Sequence, residues 1–245
     1  MITARDLCIG YGKTTLLRDA SFEVERGDIF IILGGSGCGK STLLRHLIGL
    51  EAPLSGEIRI AGVGKPELVG AAPRFGVMFQ SGALFSSMTV AENVAFALQE
   101  WTHLPVEAVN AIVRAKLALV GLEDAEGKLP AELSGGMRKR AAIARAMAFE
   151  PSLIFLDEPS AGLDPISAVE LDELILALNR NLGLTVVMVT HELESIFKVG
   201  KHCIMLDRET RSIIARGEPQ RLRNQSDDPR VRRFFNREAS VSQWQ

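Results

Sequence analysis

Residues 34–42 read GGSGCGKST and directly follow the apolar run DIFIIL at residues 28–33. The run suits a buried β-strand, because its β-branched and aromatic residues can fill both faces of a sheet. Apolar residues spaced three or four apart then predict a helix over 41–50. The glycine-rich segment therefore lies between a strand and a helix, where backbone amides and a helix N-terminus can face an anion.

The segment fits the pattern GxxxxGK[ST] of a phosphate-binding loop. We expect Lys40 to reach the β- and γ-phosphates of a nucleotide and Ser41 to ligate Mg²⁺. The full set of loop residues expected to contact the nucleotide is Gly34, Gly35, Ser36, Gly37, Cys38, Gly39, Lys40, Ser41 and Thr42. A glycine-rich structural turn or a dinucleotide-binding fingerprint, from the partial GxGxG of residues 35–39, are the alternatives. The lysine and serine at the required places favour the phosphate loop.

The composition predicts an ordinary soluble protein. Of the 245 residues, 47% are apolar and 24% are charged, and the longest uninterrupted apolar runs are strand-sized. None approaches the roughly 20 residues that span a bilayer. The amino terminus, MITARDLCIGYG, lacks the basic and apolar segments of a signal peptide, so we expect the protein to stay in the cytoplasm.

Charge and cysteine usage argue against several other classes. The 28 basic and 30 acidic residues give a net charge of −2, which offers no electrostatic basis for nucleic-acid binding. The three cysteines, Cys8, Cys38 and Cys203, are far apart and have no CxxC spacing. We expect reduced packing residues rather than a disulfide framework or a zinc site.

Patterns along the chain predict alternating strands and helices. Residues 153–159 (LIFLDEP) and 184–192 (LTVVMVTHE) are apolar at odd and even positions alike, which is typical of central parallel strands. Thr89, with Glu92 three residues later, predicts a capping box that opens a helix. Further strands are predicted at 57–60 and 75–80, helices at 105–120 and 166–180, and a hairpin at 201–217.

No repeat or linker marks a domain boundary. We expect a single domain over 1–245, with a helical subdomain at about 84–150 inserted in an α/β core and a C-terminal extension at 218–245. Within that extension, arginines stand beside Phe234 and Phe235. They suit either a partner-binding segment or a solvated terminal helix.

Asp157 and Glu158 end the apolar strand LIFLD and supply a second half of a nucleotide site. A carboxylate at this strand end can hold the Mg²⁺ shell, which we expect of Asp157. Glu158 can accept a proton from the attacking water. Taken alone, the pair is also explained by a helix cap before Pro159. Its occurrence after a phosphate loop favours the catalytic interpretation.

Residues 133–136 read LSGG, which resembles the signature sequence of the ABC ATPases. Ser134 is suited to cap the following helix, and Gly135 and Gly136 would expose its first amides. The resemblance implies that this helix end meets the γ-phosphate bound by a second subunit. It also implies an α/β fold: a P-loop NTPase (RecA-like) core of ABC ATPase type with an antiparallel β portion and an inserted α-helical subdomain. An ordinary serine-capped helix is the alternative for the motif alone.

Further positions resemble that family in the same order along the chain. Tyr11 resembles the aromatic residue that stacks on adenine, and Gln80 the glutamine that contacts Mg²⁺ and the lytic water. Asp164, in SAGLD at 160–164, resembles the acid of the loop that crosses to the partner, and His191 the histidine that contacts the γ-phosphate. The resemblance implies ATP hydrolysis by Glu158, His191 and Lys40, with Mg²⁺ at Ser41, Gln80 and, through water, Asp157.

Short segments of the sequence resemble one subgroup of this family, the ATPases of Mla-type transporters, which work with MCE-domain proteins to move lipid. The similar segments include FQSGALFSSMTVAENVAFAL at 79–98 and LSGGMRKRAAIARA at 133–146. Met137 and Arg138 replace the glutamine-containing pair common after LSGG, and methionine there is typical of the lipid-transport subgroup. The resemblance implies phospholipid transport across the bacterial envelope, with an importer ATPase for amino acids or other polar solutes as the alternative and a non-transport ABC ATPase as a weaker one.

The same resemblance implies partners and a location. We expect a homodimer in the ATP-bound state, an integral membrane permease, an MCE-domain protein, a STAS-like small regulator and no nucleic acid. The chain would lie on the cytoplasmic face of the inner membrane. Ala83, Leu84, Phe85 and Met88 would offer apolar contact to the permease, or else pack as an ordinary loop.

Overall fold

The computed structural model describes residues 1–12, 14–66 and 72–238, and the chain divides into two compact units. The first unit comprises Met1–Glu67 and Met188–Gln245, and the second comprises Leu68–Val187. The chain therefore leaves the first unit, builds the second and returns to the first. Across the described ranges, no helix is both long enough and apolar enough to cross a membrane.

The first unit contains an antiparallel sheet and a second group of strands with helices. Its strands are β1 (Ile2–Tyr11), β2 (Thr14–Val24), β3 (Ile29–Gly34), β4 (Ser55–Ile60), β8 (His202–Asp207) and β9 (Ser212–Gly217). Its helices are α1 (Lys40–Leu47), α6 (Leu193–Val199), α7 (Pro219–Gln225) and α8 (Pro229–Asn236). The antiparallel sheet has the order β2–β1–β4.

Strands β1 and β2 are absent from the sequence predictions because their alternation is interrupted. In β1 the buried apolar side chains are Ile2 and Ala4 before the interruption, and Leu7 and Ile9 after it. The register against β2 shifts between Ala4 and Leu7, and Asp6 there has a φ of 48°. A bulge of this kind inserts a residue and moves the apolar set to the other parity.

Strand β3 is buried along its whole length and pairs in parallel with β8, placing Gly34 opposite Leu206. Strand β8 then turns back into β9 as an antiparallel hairpin. The predicted buried strand and the predicted hairpin are both confirmed. The strand that leads into the glycine-rich loop is thus held by a neighbour from the far end of the chain.

The C-terminal helix α8 is anchored rather than wholly solvated. Phe235 is 2% exposed, and its ring lies 5.5 Å from that of Phe197. Arg230 contacts Asp207 at 3.0 Å and Asp228 at 2.6 Å. The expectation of a solvated terminal helix is therefore wrong for the face that carries Phe235. Residues 239–245 of the predicted extension lie outside the described residues.

The second unit combines short parallel strands with long helices. Its strands are β5 (Gly76–Met78), β6 (Leu153–Asp157) and β7 (Thr185–Val189), in which the boundary between the units falls. Its α-helices are α2 (Val90–Trp101), α3 (Val106–Leu119), α4 (Gly135–Ala146) and α5 (Pro165–Leu182). Two short 3₁₀ helices, Glu123–Ala125 and Pro130–Glu132, lie between α3 and α4.

Burial and capping in this unit follow the sequence patterns. The apolar residues of β6 and all of β7 are buried, and β6 pairs in parallel with β5. Thr89 caps α2: its backbone amide donates to Glu92 Oε2 at 2.7 Å, and its Oγ1 accepts from the Glu92 amide at 3.2 Å. The predicted capping box is confirmed.

Candidate nucleotide-binding and catalytic residues

The glycine-rich loop of the first unit has a backbone that only glycine can adopt at its ends. Gly34 has a φ of 145°, and a Cβ there would lie 2.5 Å from both Leu206 O and Cys38 Sγ. Gly39, the N-cap of α1, has a φ of 98°. Residues 35–37 between them are exposed. Residues 35–37 are therefore open to solvent directly in front of the helix N-terminus, where backbone amides can bind an anion.

Lys40 folds its side chain back over this loop. Its Nζ donates to Gly34 O at 2.9 Å and to Gly35 O at 3.0 Å. These bonds hold the ammonium group above the exposed amides, where a phosphate would also lie. Ser41, the next residue, is exposed at the first turn of α1.

Cys38 and Thr42 support the loop from beneath. Burial raises the pKa of the Cys38 thiol, and the charge of Lys40 opposes that shift. Because Cys38 is only 2% exposed, it packs as a neutral thiol. The Thr42 hydroxyl is hydrogen-bonded to the Tyr11 hydroxyl at 3.0 Å, and Arg45 Nη1 donates to the same phenol at 2.9 Å. Tyr11 is thus brought to α1 and remains 45% exposed.

In the second unit, Gln80 and the acidic pair lie at one edge of the sheet. Met78 of β5 pairs with Leu156 of β6, so the carboxyl ends of both strands meet at the same edge. Gln80 follows β5 and is exposed, whereas Glu158 follows β6 and is 8% exposed. Glu158 has a φ of 47°, a conformation that costs a non-glycine residue about 1–3 kcal/mol and that clusters at functional sites.

Two basic residues of α4 donate hydrogen bonds to the backbone at this edge of the sheet, and the sequence patterns do not predict these contacts. Lys139 Nζ donates to Gln80 O, and Arg145 donates to Gly82 O at 2.8 Å and Ala83 O at 2.6 Å. Their partners are backbone carbonyls about 60 residues earlier in the chain. A run such as MRKRAAIAR instead suggests a solvated charged face. No spacing rule identifies these contacts.

The LSGG segment forms the start of α4 as predicted. Ser134 is the N-cap, and its Oγ accepts a hydrogen bond from the Met137 amide at 3.2 Å. The two glycines lie against the segment that begins α5, since a Cβ at Gly135 would be 3.1 Å from Leu163 Cδ2 and one at Gly136 would be 3.4 Å from Ser167 Oγ. The two glycines therefore let the start of α4 approach the segment around Leu163 and Ser167 closely.

Asp164 is the N-cap of α5 and is brought close to that glycine pair. Its Oδ1 accepts from the Ile166 amide at 3.1 Å and the Ser167 amide at 3.0 Å, and its Oδ2 accepts from Ser167 Oγ at 2.6 Å. The Ser167 hydroxyl bond is the main reason that the pKa of Asp164 lies below its usual value. In the first unit, His191 is exposed beyond β7, and its Nε2 lies 3.5 Å from Glu192 Oε1.

Comparison with known proteins identifies the family. The family model described as "ABC transporter" matches residues 17–161, which include the phosphate loop, the LSGG segment and the acidic pair. This chain belongs to the ABC transporter family. Its fold is accordingly that of a P-loop ABC ATPase, and the chain is an ATPase.

Relatives of this ABC ATPase include curated transport proteins. It is 42% identical over 242 residues to the intermembrane phospholipid transport system ATP-binding protein MlaF of Escherichia coli (strain K12), covering 96% of this chain and 88% of MlaF. It is 40% identical over 240 residues to the probable ribonucleotide transport ATP-binding protein mkl of Mycobacterium tuberculosis (strain H37Rv), covering 96% and 66%.

A solved structure agrees with the fold. The ATP-binding cassette MJ0796, solved as a dimer in a post-hydrolysis state with ADP and Pi, is similar with a TM-score of 0.78 and 27% identity. The similarity covers 89% of this chain and 98% of that one. The α/β architecture predicted for this ABC ATPase is therefore confirmed.

Proposed function

We propose that this ABC ATPase powers the transport of phospholipid across a bacterial cell envelope, working as an ATP-bound homodimer at the cytoplasmic face of the inner membrane. The observation that carries the proposal is the 42% identity to MlaF over nearly the full length of both chains. The proposed partners are a membrane permease, an MCE-domain protein and a STAS-like regulator. The dimeric state of the similar cassette MJ0796 supports the homodimer.

The chain's own residues fit the proposed ATP chemistry. The exposed amides at 35–37 and the Lys40 ammonium suit phosphate oxygens, and Tyr11 offers an exposed ring for adenine. The Glu158 carboxylate accepts the proton of the attacking water, which Gln80 contacts. His191 and Lys40 steady the charge that develops on the γ-phosphate. Ser134, Gly135 and Gly136 meet the nucleotide of the second subunit, and Asp164 belongs to the loop that faces it.

Each unit also offers oxygen atoms of a kind that suits magnesium. The exposed Ser41 hydroxyl, the Asp157 carboxylate and the Gln80 amide oxygen are hard oxygen ligands of the kind that Mg²⁺ prefers. When bound, the ion would neutralise charge on the phosphates. Asp157 would hold it through water.

An exposed pair of aromatic residues in the second unit supports a permease contact. Phe85 is 44% exposed and Phe96 38% exposed, with ring centroids 5.0 Å apart. The loop that carries Phe85 is fixed by the buried Asn93: Asn93 Oδ1 accepts from the Phe85 amide, and Asn93 Nδ2 donates to the carbonyls of Phe85, Met88 and Thr89. Exposed aromatic residues on a pre-ordered loop are typical of interface hot spots.

The Phe85→Ser variant is expected to lose permease binding. Truncating an aromatic anchor costs about 2 kcal/mol, or roughly 30-fold in affinity. The measurement is the amount of permease recovered with the tagged chain from gently solubilised membranes. Leu182→Ser, at a residue that is 53% exposed near the end of α5, is the matched control and should recover the permease normally. Equal recovery with both variants would place the permease contact elsewhere.

The cargo is tested by what co-purifies. We expect the tagged chain, isolated from its native membranes, to bring down an MCE-domain protein and an excess of phospholipid, as measured by mass spectrometry. A periplasmic solute-binding protein with a polytopic importer would instead establish transport of a polar solute, which the similarity to the mkl protein makes the second candidate. DNA-repair or ribosomal partners would contradict the transporter class.

A further inference from the structure

Lys139 is buried in the second unit. Lysine is rarely buried without a specific partner, so its contacts call for an explanation. The residue is 7% exposed and belongs to the second turn of α4, just after the signature residues Ser134–Gly136. Burial lowers the pKa of Lys139, and the charges of Asp157 and Glu158 oppose that shift. The ammonium group therefore lies close to the acidic pair.

The hydrogen bonds of Lys139 join three separate pieces of the chain. Its Nζ donates to Gln80 O, at the end of the segment that follows β5. It also donates to Glu158 O at 3.3 Å, after β6. Since the side chain itself comes from α4, one ammonium group connects the signature helix with the backbone of the two residues that we assign to the lytic water.

The contact at Glu158 falls where the backbone needs support. Glu158 has a φ of 47°, in the left-handed region that a glutamate seldom adopts. Its carbonyl accepts from the Ala161 amide at 3.2 Å as well as from Lys139. A charged donor at this carbonyl helps to hold the strained conformation, and with it the direction of the carboxylate.

We propose that Lys139 is a positioning residue for ATP hydrolysis, which fixes Glu158 and Gln80 relative to each other and to the signature helix. Lys139 acts through these two residues, since its ammonium group donates to their backbone carbonyls. The inference rests on the proposed roles of Glu158 and Gln80. It also gives α4 a second task besides presenting its N-terminus to a nucleotide: displacement of this helix moves the catalytic carboxylate.

The Lys139→Met variant tests the inference by separating turnover from binding. Methionine keeps about the length of the side chain and removes the ammonium group that makes both hydrogen bonds. We expect kcat to fall by about 10- to 100-fold, because small misplacements of a catalytic group have effects of that order. The Kd for ATP, measured by equilibrium titration, should stay within about twofold, since the phosphate loop is unchanged.

Lys116→Met is the matched control. Lys116 lies on α3 and is another buried lysine of the same unit, with 8% of its surface exposed. Its Nζ pairs with Glu150 Oε1 at 2.8 Å instead of with the backbone of Gln80 and Glu158. We expect this variant to melt at a lower temperature and to keep its kcat. A loss of kcat in Lys139→Met no greater than that in Lys116→Met would reduce Lys139 to a structural residue and overturn the proposal.

A double variant shows whether Lys139 acts through Glu158. If it does, adding Lys139→Met to Glu158→Gln should lower the residual rate by less than about twofold, because the positioned carboxylate is already absent. Losses that multiply would overturn the proposal. If Glu158→Gln hydrolyses ATP slowly but Lys139→Met hydrolyses it at the normal rate, the inference about Lys139 is overturned and the role of Glu158 stands. If Glu158→Gln itself hydrolyses ATP at the normal rate, both the proposed role of Glu158 and the inference are overturned. If Lys139→Met does not fold, Lys139→Ala replaces it, since water can then satisfy the two carbonyls.

Discussion

The Glu158→Gln variant is expected to bind ATP as tightly as the unchanged chain and to lose about 10²- to 10⁴-fold in turnover. The amide has the shape of the carboxylate but cannot accept a proton from the attacking water. It should also leave the local packing intact, because the amide is nearly the size of the carboxylate and the hydrogen bonds from Lys139 and Ala161 go to the backbone carbonyl of Glu158. Phosphate release measures the rate, and equilibrium titration measures the Kd.

Glu150→Gln is a close control for this variant. Glu150 lies in the same unit and also has a left-handed backbone, with a φ of 50°, but its side chain is 78% exposed and pairs with Lys116. We expect it to retain full turnover. Rapid steady-state hydrolysis by Glu158→Gln would contradict the assignment of Glu158 as the general base.

The Lys40→Ala variant is expected to fail at the earlier step of ATP binding. A hydrogen bond between a charged donor and phosphate contributes about 1.5–3 kcal/mol, so the Kd for ATP should rise by about 10- to 150-fold. Removal of Lys40 Nζ also releases the carbonyls of Gly34 and Gly35, which loosens the loop that presents the amides. Titration with ATP is again the measurement, followed by turnover at saturating nucleotide.

Lys201→Ala separates the phosphate contact from the general loss of a lysine. Lys201 lies in the same unit as Lys40 and likewise donates from Nζ to a backbone carbonyl, that of Gly27 at 2.9 Å. We expect its ATP affinity to be unchanged. If Lys40→Ala bound ATP as tightly as Lys201→Ala does, the glycine-rich loop would not be the phosphate site.

The elements that the sequence predicted well are those whose cause is local. The strands β3, β6 and β7 are apolar at odd and even positions alike and are buried on both faces. Thr89 and Ser134 cap their helices by hydrogen bonds to residues only three positions later in the sequence. Strand β1 was missed because a bulge at Asp6 breaks its alternation. The burial of Phe235 depends on Phe197 in another helix, which no local pattern reveals.

The residues of the candidate site likewise fall into those that local patterns predict and those that depend on distant parts of the chain. The phosphate loop, the LSGG cap and the acidic strand end follow fixed spacings, so their residues could be named from the sequence. Lys139 and Arg145 could not, because they donate to carbonyls distant in the chain and their side chains form part of an apparently solvated basic run. The roles assigned to the site residues and the single-domain boundaries stay predictions.

The pairing of β3 with β8 has a consequence for biosynthesis. The strand that leads into the phosphate loop ends at Gly34, whereas its parallel neighbour begins at His202 and leaves the ribosome roughly 10–30 s later at ordinary rates of translation. The second unit, Leu68–Val187, is a continuous stretch and can fold in that interval. The first unit can therefore be completed only after β8 has been synthesised, and a truncated chain that lacks β8 leaves one edge of the strand before the phosphate loop without its partner.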